Sequence, residues 1–157
     1  MKPNIGITDK NLKGVTTLLT KVLANQHVLY IKTRNFHWNV AGDSFMEYHL
    51  LFEGQYTELE TAIDEVAERI NKLGAVTMGS MKEFLATATL KESTSKTRDG
   101  KTMVKELLTD HEAAIRELRE DIDKCEDDFK DKGTADFLTG LMQAHETIAW
   151  KLRRYSL

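Results

Sequence analysis

Apolar residues recur every three or four positions along most of the chain, and polar stretches interrupt this spacing at a few points. The pattern predicts a first helix from about Thr8 to His37 and a second from Ser44 to Leu73, which Gly74 ends. It predicts a third long helix from Lys101 to about Phe129 and a fourth that Thr134 caps. Long amphipathic helices joined in this way are typical of an all-α bundle.

The connection between the second and third helices is long, at about 25 residues. Within it, Ser80 followed by Glu83 matches a capping box and predicts a short helix to about Ala88. Ser44 followed by Glu47 matches the same motif at the start of the second helix. One long crossover is typical of the ferritin-like topology, so the predicted fold is an all-α, ferritin-like four-helix bundle with a short extra helix between helices two and three.

The composition fits a single ferritin-like domain over residues 1–157, with residues 1–8 as a short N-terminal tail. Of the 157 residues, 41% are hydrophobic and 30% are charged, and one is proline. The N-terminus lacks the apolar core of a signal peptide, the lone Cys125 has no partner for an internal disulfide, and no apolar run approaches a membrane-spanning length. These features predict a cytoplasmic protein with no membrane partner.

The formal net charge is -3, whereas nucleic-acid-binding domains are usually basic. Basic residues concentrate near the two ends of the chain, too sparsely for a convincing DNA-binding arm. They are Lys2, Lys10, Lys13, Lys151, Arg153 and Arg154. DNA binding, with a nucleoid-associated location, is therefore an alternative that the charge does not favour.

The segment from Asn35 to Glu68 contains two histidines and eight carboxylates but no lysine or arginine. The carboxylates are Asp43, Glu47, Glu53, Glu58, Glu60, Asp64, Glu65 and Glu68. Such an imbalance predicts a bound cation. An acidic helix is also commonly just a solvated face, and a bundle without a metal would then be an assembly scaffold.

Four of these residues share one face of the second helix. At 100° per residue, His49, Glu53, Asp64 and Glu68 fall at about 0°, 40°, 60° and 100°. His49 and Asp64 are nevertheless roughly 22 Å apart along the axis, so one metal cannot contact both in one chain. A second copy of the helix, packed antiparallel about a twofold axis near residues 56–58, would bring the histidine of one copy to the carboxylates of the other.

The turn between the first two helices can also bring His37 to His49. The chain has no Glu-x-x-His motif, the usual source of ligands for a metal inside a bundle, so a site between subunits is favoured. Two imidazoles with Asp64 and Glu68 suit ferrous iron, and the implied reaction is its oxidation. Glu53, one turn beyond His49, could hold a second iron or receive the departing ion.

The residues around these candidate ligands strongly resemble the Dps mini-ferritins, the DNA-binding proteins from starved cells. The matching residues are the runs 34–40 (RNFHWNV) and 64–69 (DEVAER), with Gly42, Phe45, His49, Phe52, Glu53, Tyr56 and Glu58 between them. The resemblance extends over nearly the whole chain, including the run 82–85 and the closing run 149–153. It implies a hollow homododecamer that oxidises ferrous iron, preferably with hydrogen peroxide, and stores the ferric mineral inside, so that the cell is protected from oxidative damage.

The resemblance also implies roles for individual residues. His37 and His49 match the histidine ligands, and Asp64 and Glu68 match the carboxylates from the neighbouring chain. Glu53 matches an additional acidic ligand position, and Trp38 matches an aromatic residue that takes up oxidising equivalents. Iron is the implied metal, and zinc is another divalent ion that suits such ligands.

In the family, carboxylates near the start of the last helix line threefold pores that draw iron inward. Asp127, Asp131 and Asp136 are the candidates in this chain, although Lys130 and Lys132 interleave with them. Other tempting side chains are interpreted as ordinary helix or packing residues because none lies in a comparable cluster of ligands. They are His27, His111, His145, Tyr30 and Trp150.

Overall fold

A computed structural model describes residues 3–156 of the chain, which form a bundle of four long helices and one short helix. The bounds are α1 Asp9–Asn39, α2 Phe45–Lys72, α3 Met81–Thr87, α4 Gly100–Asp123 and α5 Lys132–Tyr155, with a π-helical turn at Lys124–Asp128. No strand occurs among these residues, which confirms the predicted all-α class with a short extra helix in the crossover. Lys2, in the predicted tail, lies outside the described residues.

Several helix ends lie where the sequence predicts them. Thr8 caps α1 by accepting a hydrogen bond from the backbone N–H of Asn11. Ser80 and Glu83 form both bonds of the predicted capping box at α3. Gly74 follows α2 with φ +86°, the left-handed conformation that glycine adopts without steric cost.

Two predicted caps are wrong. Ser44 precedes α2 with φ -98° and ψ 30°, outside the extended region that a capping side chain needs, and it makes no capping hydrogen bond with any described residue. At α5 the cap is Asp131 rather than Thr134, because the Asp131 carboxylate accepts from the backbone N–H of Thr134. The last helix therefore begins at Lys132, two residues before the predicted cap.

The predicted third helix also ends differently. Regular α-helix stops at Asp123, and the π-helical turn carries the chain on to Phe129. The ring of Phe129 fills the space beside Gly14, where an added Cβ would lie 2.4 Å from the ring Cε1. Asn11 closes the same junction by donating from Nδ2 to the carbonyl of Phe129 at 2.9 Å. The end of α4 is thus shaped by contact with α1.

Ion pairs give the directions of the helices. Lys21 of α1 bonds Asp121 at 2.9 Å and Lys32 bonds Asp110 at 2.5 Å, so α1 and α4 are antiparallel. Arg119 pairs with Glu146 of α5 and Glu112 pairs with Arg153, so α4 and α5 are antiparallel as well. Since α1 is also antiparallel to α2, the crossover sets α4 parallel to α2, as its length predicts.

The apolar core consists of two clusters, one at each end of the bundle. The cluster near the π-helical turn contains Leu19, Ile70 and Leu138, and the cluster at the other end contains Phe36, Phe52 and Leu152. No helix within residues 3–156 is sufficiently long and apolar to cross a membrane. The turn between α1 and α2 lies at the end of the bundle that contains Phe36 and Phe52, and this turn positions the candidate ligands.

Candidate metal centre

His37, near the end of α1, and His49, near the start of α2, form a stacked pair that we call the outer pair. Their ring centroids are 3.7 Å apart and their planes differ by 20°. The Nδ1 atom of His37 contacts the carbonyl of His49 at 2.8 Å, and the Nδ1 atom of His49 contacts the carbonyl of His37 at 2.9 Å. A carbonyl only accepts, so each Nδ1 carries a hydrogen, and the neutral form of each ring has its lone pair on Nε2.

This reciprocal bonding suits metal coordination. A metal-ligating histidine commonly donates its second ring N–H to a carbonyl or carboxylate, which fixes both the tautomer and the ring orientation. Here two backbone carbonyls perform this task before any metal binds. The outer pair therefore offers two oriented imidazole nitrogens side by side.

The connection between α1 and α2 is held in place by the end of the crossover. Ala41 donates its backbone N–H to the carbonyl of Arg98 at 2.9 Å and forms an isolated backbone bridge with Asp99. Gly42 follows with φ +118°, which favours glycine, and lets the chain reverse into α2. The crossover thereby stabilises the turn that brings the two histidines together.

The structure does not bring the predicted carboxylates to the outer pair within one chain. Glu53, Asp64 and Glu68 are all exposed on α2. Glu68 forms an ion pair with Lys72 at 3.0 Å. No group of three or more histidine, cysteine or acidic side chains within residues 3–156 is arranged to hold a metal ion. A single chain therefore contains the histidines of the candidate centre at one end of α2 and the carboxylates at the other.

Asp64 opens onto a groove of about 650 Å³ between α1, α2 and the crossover. His27, which sequence reasoning assigned no role, lines the same groove. Its Nδ1 lies 3.0 Å from the carbonyl of Leu23, and its ring stacks on Phe84 at a centroid distance of 3.7 Å. Burial lowers the pKa of His27, so this ring is neutral near pH 7.

Aromatic rings and a cation surround the outer pair. Tyr56 packs edge-on against His37 with centroids 5.2 Å apart. The Arg34 guanidinium lies 4.5 Å from the ring centroid of Tyr56, 5.3 Å from that of Trp38 and 5.5 Å from that of Tyr30. It also donates to the Tyr30 hydroxyl at 3.0 Å. Trp38 itself is 62% exposed beside the site, so its ring is available to a partner or a substrate.

The three predicted pore residues have different environments. Asp127 and Asp136 are exposed, whereas Asp131 is only 3% exposed. The Asp131 carboxylate accepts bonds from the Thr134 backbone and hydroxyl and from the Arg69 guanidinium, and both of its oxygens are used. Asp131 is therefore a helix cap and an ion-pair partner with a buried carboxylate, unlike the other two candidates.

A second histidine pair lies inside the bundle, and we call it the core pair. His111 of α4 and His145 of α5 are 0% and 1% exposed, and their Nδ1 atoms are 2.8 Å apart. The Nε2 atom of His145 is 2.9 Å from the Gln26 amide nitrogen, while Nε2 of His111 has no partner within the described chain. Burial lowers the pKa of His145 to about 4 and that of His111 well below its ordinary value, so both rings are neutral.

Sequence reasoning treated these residues as ordinary helix residues and missed their contact. The available signal was their position, because His111 and His145 both lie on the apolar stripes of their helices. These two histidines and Gln26 form one hydrogen-bonded network, with one residue on each of α1, α4 and α5. On each helix, this residue lies between the buried residues of one apolar cluster and those of the other. Gln26 and the core pair thus form a polar layer between the two halves of the core.

Comparisons with known proteins identify relatives over nearly the full length of the chain. A family model described as a ferritin-like domain matches residues 16–156. An uncharacterized low temperature-induced protein of Nostoc sp. is 47% identical over 97% of this chain and 85% of that protein. The DNA protection during starvation protein 2 of Bacillus anthracis is 37% identical over 91% of this chain and 97% of that protein.

A similar solved structure is the Dps protein of Vibrio cholerae O1, described as a member of a broad superfamily of ferritin-like diiron-carboxylate proteins. It has a TM-score of 0.91 and 31% sequence identity, and the match covers 98% of this chain and 96% of that one. The relatives and the structure therefore agree on one fold and one family.

Proposed function

Since this chain belongs to the Dps family of ferritin-like proteins, we propose that it oxidises ferrous iron at centres shared between two copies of the chain. Hydrogen peroxide is the preferred oxidant, and the ferric product is stored as mineral inside a hollow shell of twelve copies. In each turnover, two ferrous ions each give one electron to one peroxide, which takes up two protons and leaves as two waters. The protein thereby removes both reactants that would otherwise generate hydroxyl radicals.

The observation that carries this proposal is the reciprocal hydrogen bonding of the outer pair. Both Nδ1 atoms are used by carbonyls at 2.8 and 2.9 Å, so both Nε2 lone pairs are directed away from the pair's own hydrogen bonds. Neutral imidazole nitrogens suit ferrous iron and also zinc. These backbone bonds fix the tautomer of both rings and leave each Nε2 atom for a ligand.

The carboxylates are supplied by the second copy. If α2 packs antiparallel against α2 of a partner, Asp64 and Glu68 of one chain meet His37 and His49 of the other. Two carboxylates neutralise the charge of a ferrous ion, and the exposed ion pair of Glu68 with Lys72 would open for Glu68 to bind it. Glu53 is exposed one turn from His49 and is assigned to a second iron.

Apolar exposure near the outer pair supports such an interface. Phe45, Met46 and Leu50 are large apolar side chains exposed at the start of α2, and the Phe45 ring lies 4.9 Å from that of His49. Exposed apolar side chains that adjoin a site are typical of surfaces covered by another chain. Burying them against a partner would also exclude water from the iron.

The remaining residues have supporting roles. Trp38, adjacent to His37 in the chain, takes up oxidising equivalents that iron does not consume. Asp127 and Asp136, both exposed near the start of α5, attract ferrous ions to the pores. We leave Asp131 out of this role because its carboxylate is buried and bonded to Arg69 and Thr134.

Subunit complementation tests the shared centre directly. One chain carries His37→Gly with His49→Gly, and the other carries Asp64→Asn with Glu68→Gln. Each variant alone should oxidise ferrous iron with peroxide no faster than a protein-free control. Randomly mixed assemblies should regain about a quarter of the parental activity, because half of the dimers are mixed and each mixed dimer contains one intact centre of two.

The matched control combines the histidine variant with a chain carrying Glu120→Gln and Asp123→Asn, which removes two exposed carboxylates of α4. Those chains retain Asp64 and Glu68, so half of all centres should be active. Activity of either site variant by itself, or failure of the two site variants to complement after verified co-assembly, would contradict the shared centre.

A further inference from the structure

A second candidate site lies where the crossover returns to the start of α4. A partly enclosed cavity of about 140 Å³ opens there, beside the end of α1. Room for one ordered water requires only roughly 10–15 Å³ on the same measure, so the cavity has space for several waters or a small ion. Its polar lining comes from Asn35, Asn39, Ser93, Ser95, Lys96, Thr97 and Arg98.

The hydroxyl groups of this cavity are arranged as donors. Along the crossover, the Ser95 hydroxyl oxygen accepts the backbone N–H of Thr97 at 3.2 Å, and the Thr97 hydroxyl oxygen accepts that of Asp99 at 3.1 Å. Each hydroxyl therefore still has its own hydrogen to donate. Ser93 also lines the cavity, but its hydroxyl donates to the neighbouring Glu106 carboxylate at 3.1 Å.

An amide donor comes from the end of α1. Asn35 accepts a hydrogen bond through Oδ1 from Nδ2 of Asn39 at 2.7 Å. This bond assigns the amide orientation of Asn35 and leaves its Nδ2 hydrogens uncommitted. The cavity therefore combines side-chain donors from α1 with those from the crossover, two elements that are far apart in the sequence.

The charge of the lining is positive although the chain as a whole carries -3. Lys96 and Arg98 line the cavity, and neither forms an ion pair with another residue in the described part of the chain. No carboxylate among residues 3–156 belongs to the lining. The neighbouring Glu106 is bound to Lys32 at 3.1 Å, and Asp99 accepts from the backbone N–H of Thr102 at 2.8 Å.

We propose that this cavity binds a phosphate group. A tetrahedral oxyanion offers several acceptor oxygens to converging donors, and hydrogen bonds between ionised groups are stronger than neutral ones. Arginine, lysine, hydroxyl and amide donors are the side chains that contact phosphate in proteins generally. The phosphate group belongs either to a free phosphate ion or to a phosphodiester of DNA. This site is separate from the candidate iron centre and does not depend on it.

The test uses the assembled, iron-free protein and inorganic phosphate, with binding followed by calorimetry and by the ³¹P NMR line width. One saturable phosphate per chain is expected. The double variant Lys96→Gln with Arg98→Gln should weaken binding at least tenfold, and Asn35→Asp should weaken it similarly by adding a negative charge to the cavity. The control pair Lys91→Gln with Lys105→Gln removes the same charge from exposed positions outside the lining and should change affinity less than twofold.

A short DNA duplex distinguishes the two sources of phosphate. If the duplex displaces bound phosphate from the parent and is retarded in a low-salt gel only when Lys96 and Arg98 are present, the ligand is a phosphodiester. If the duplex leaves the bound phosphate in place, the ligand is the free ion. The proposal fails if phosphate shows no saturable binding to the folded parent, or if the control pair loses as much affinity as Lys96→Gln with Arg98→Gln.

Discussion

The outer and core histidine pairs contain the same two side chains in opposite chemical situations. In the outer pair, both Nδ1 atoms donate to backbone carbonyls, so both rings keep Nε2 free for an external ligand. In the core pair, the two Nδ1 atoms face each other at 2.8 Å, so one ring must donate and the other accept. The outer rings are therefore equivalent, whereas the core rings are different tautomers.

An adjacent pair of histidines is therefore not by itself a metal site. The core pair is buried with Gln26, and no carboxylate within residues 3–156 is hydrogen-bonded to either ring. A divalent ion placed there would have no charge to compensate it, which is costly in a low-dielectric interior. The outer pair can gain two carboxylates from a second chain, and its surroundings include the exposed Trp38.

The largest effect should follow from removing the outer pair. His37→Gly with His49→Gly should lower the rate of peroxide-driven iron oxidation by about a hundredfold or more, because two metal ligands are lost. Zinc or ferrous ions should raise the Tm of the parent but not that of the variant, since a ligand that binds the native state stabilises it. Stopped-flow absorbance and thermal unfolding measure the two effects, and an unchanged oxidation rate would refute the assignment.

The core pair should control acid stability instead. Both histidines have a native pKa below the unfolded value of about 6.5, so the unfolded chain takes up protons that the native chain does not. Their contribution to stability is present above pH 6.5 and falls as the pH drops towards 4, by about 1.4 kcal/mol per pH unit for each histidine. Denaturant unfolding of metal-free protein between pH 7.5 and 4.5 measures this slope.

The matched variant for this pH dependence of stability combines three substitutions, Gln26→Leu, His111→Leu and His145→Leu. Replacing a complete buried polar network with apolar groups of similar size is often neutral for stability at neutral pH. The free energy of unfolding of this variant should therefore fall much less at acid pH than that of the parent. The variant should oxidise iron at the parental rate. If it became unstable below pH 6 as steeply as the parent, the core pair would not be the acid-sensitive element.

Breaking the core network at one position should be worse than removing it. His145→Leu alone leaves the Nδ1 atom of His111 and the amide nitrogen of Gln26 without their partners, and both are fully buried. Each buried unpaired group costs about 1–3 kcal/mol, so the single variant should be less stable at pH 7.5 than the triple variant. Equal urea midpoints for the two proteins would argue against the network.

The smallest effect is expected at His27, the histidine without a histidine partner. Its ring stacks on Phe84 at 3.7 Å, and its Nδ1 donates within its own helix. His27→Gln should lower the free energy of unfolding by about 0.5–1.5 kcal/mol through the lost aromatic contact. Iron oxidation should stay within twofold of the parent, and a tenfold decrease would instead make His27 part of the iron centre.

The extent of sequence-based prediction is clearest at the helix ends. Ser80 and Glu83 form the predicted capping box because every group it needs lies within four residues. Ser44 and Glu47 have the same pattern, yet the turn that follows α1 is held by Arg98 and Asp99 from the crossover, and Ser44 is not extended. Asp131 replaces Thr134 as a cap while also pairing with Arg69 of α2. In both cases, contacts with residues far away in the chain determine how the helix begins.

The candidate iron centre likewise combines features that the sequence predicts with one that depends on distant contacts. Helical periodicity places His49, Glu53, Asp64 and Glu68 on one face, and their axial separation predicts that the two ends of the face must be joined by a second chain. The contact of His37 with His49 also follows from the short turn between their helices. The sequence could not reveal that the Nδ1 atoms exchange backbone hydrogen bonds, because this depends on how α1 and α2 are aligned.

The amino-acid sequence is enough to predict the long helices, the short crossover helix, the family and the spacing of the candidate iron ligands. These depend on residue types at fixed intervals along one helix, which local geometry converts directly into position. Tertiary packing is needed to show that His111 meets His145, that Asp131 is buried and that Lys96, Arg98 and Asn35 share a cavity. Each of these depends on the register between elements far apart in the chain, and that register is set by the packing of the whole core.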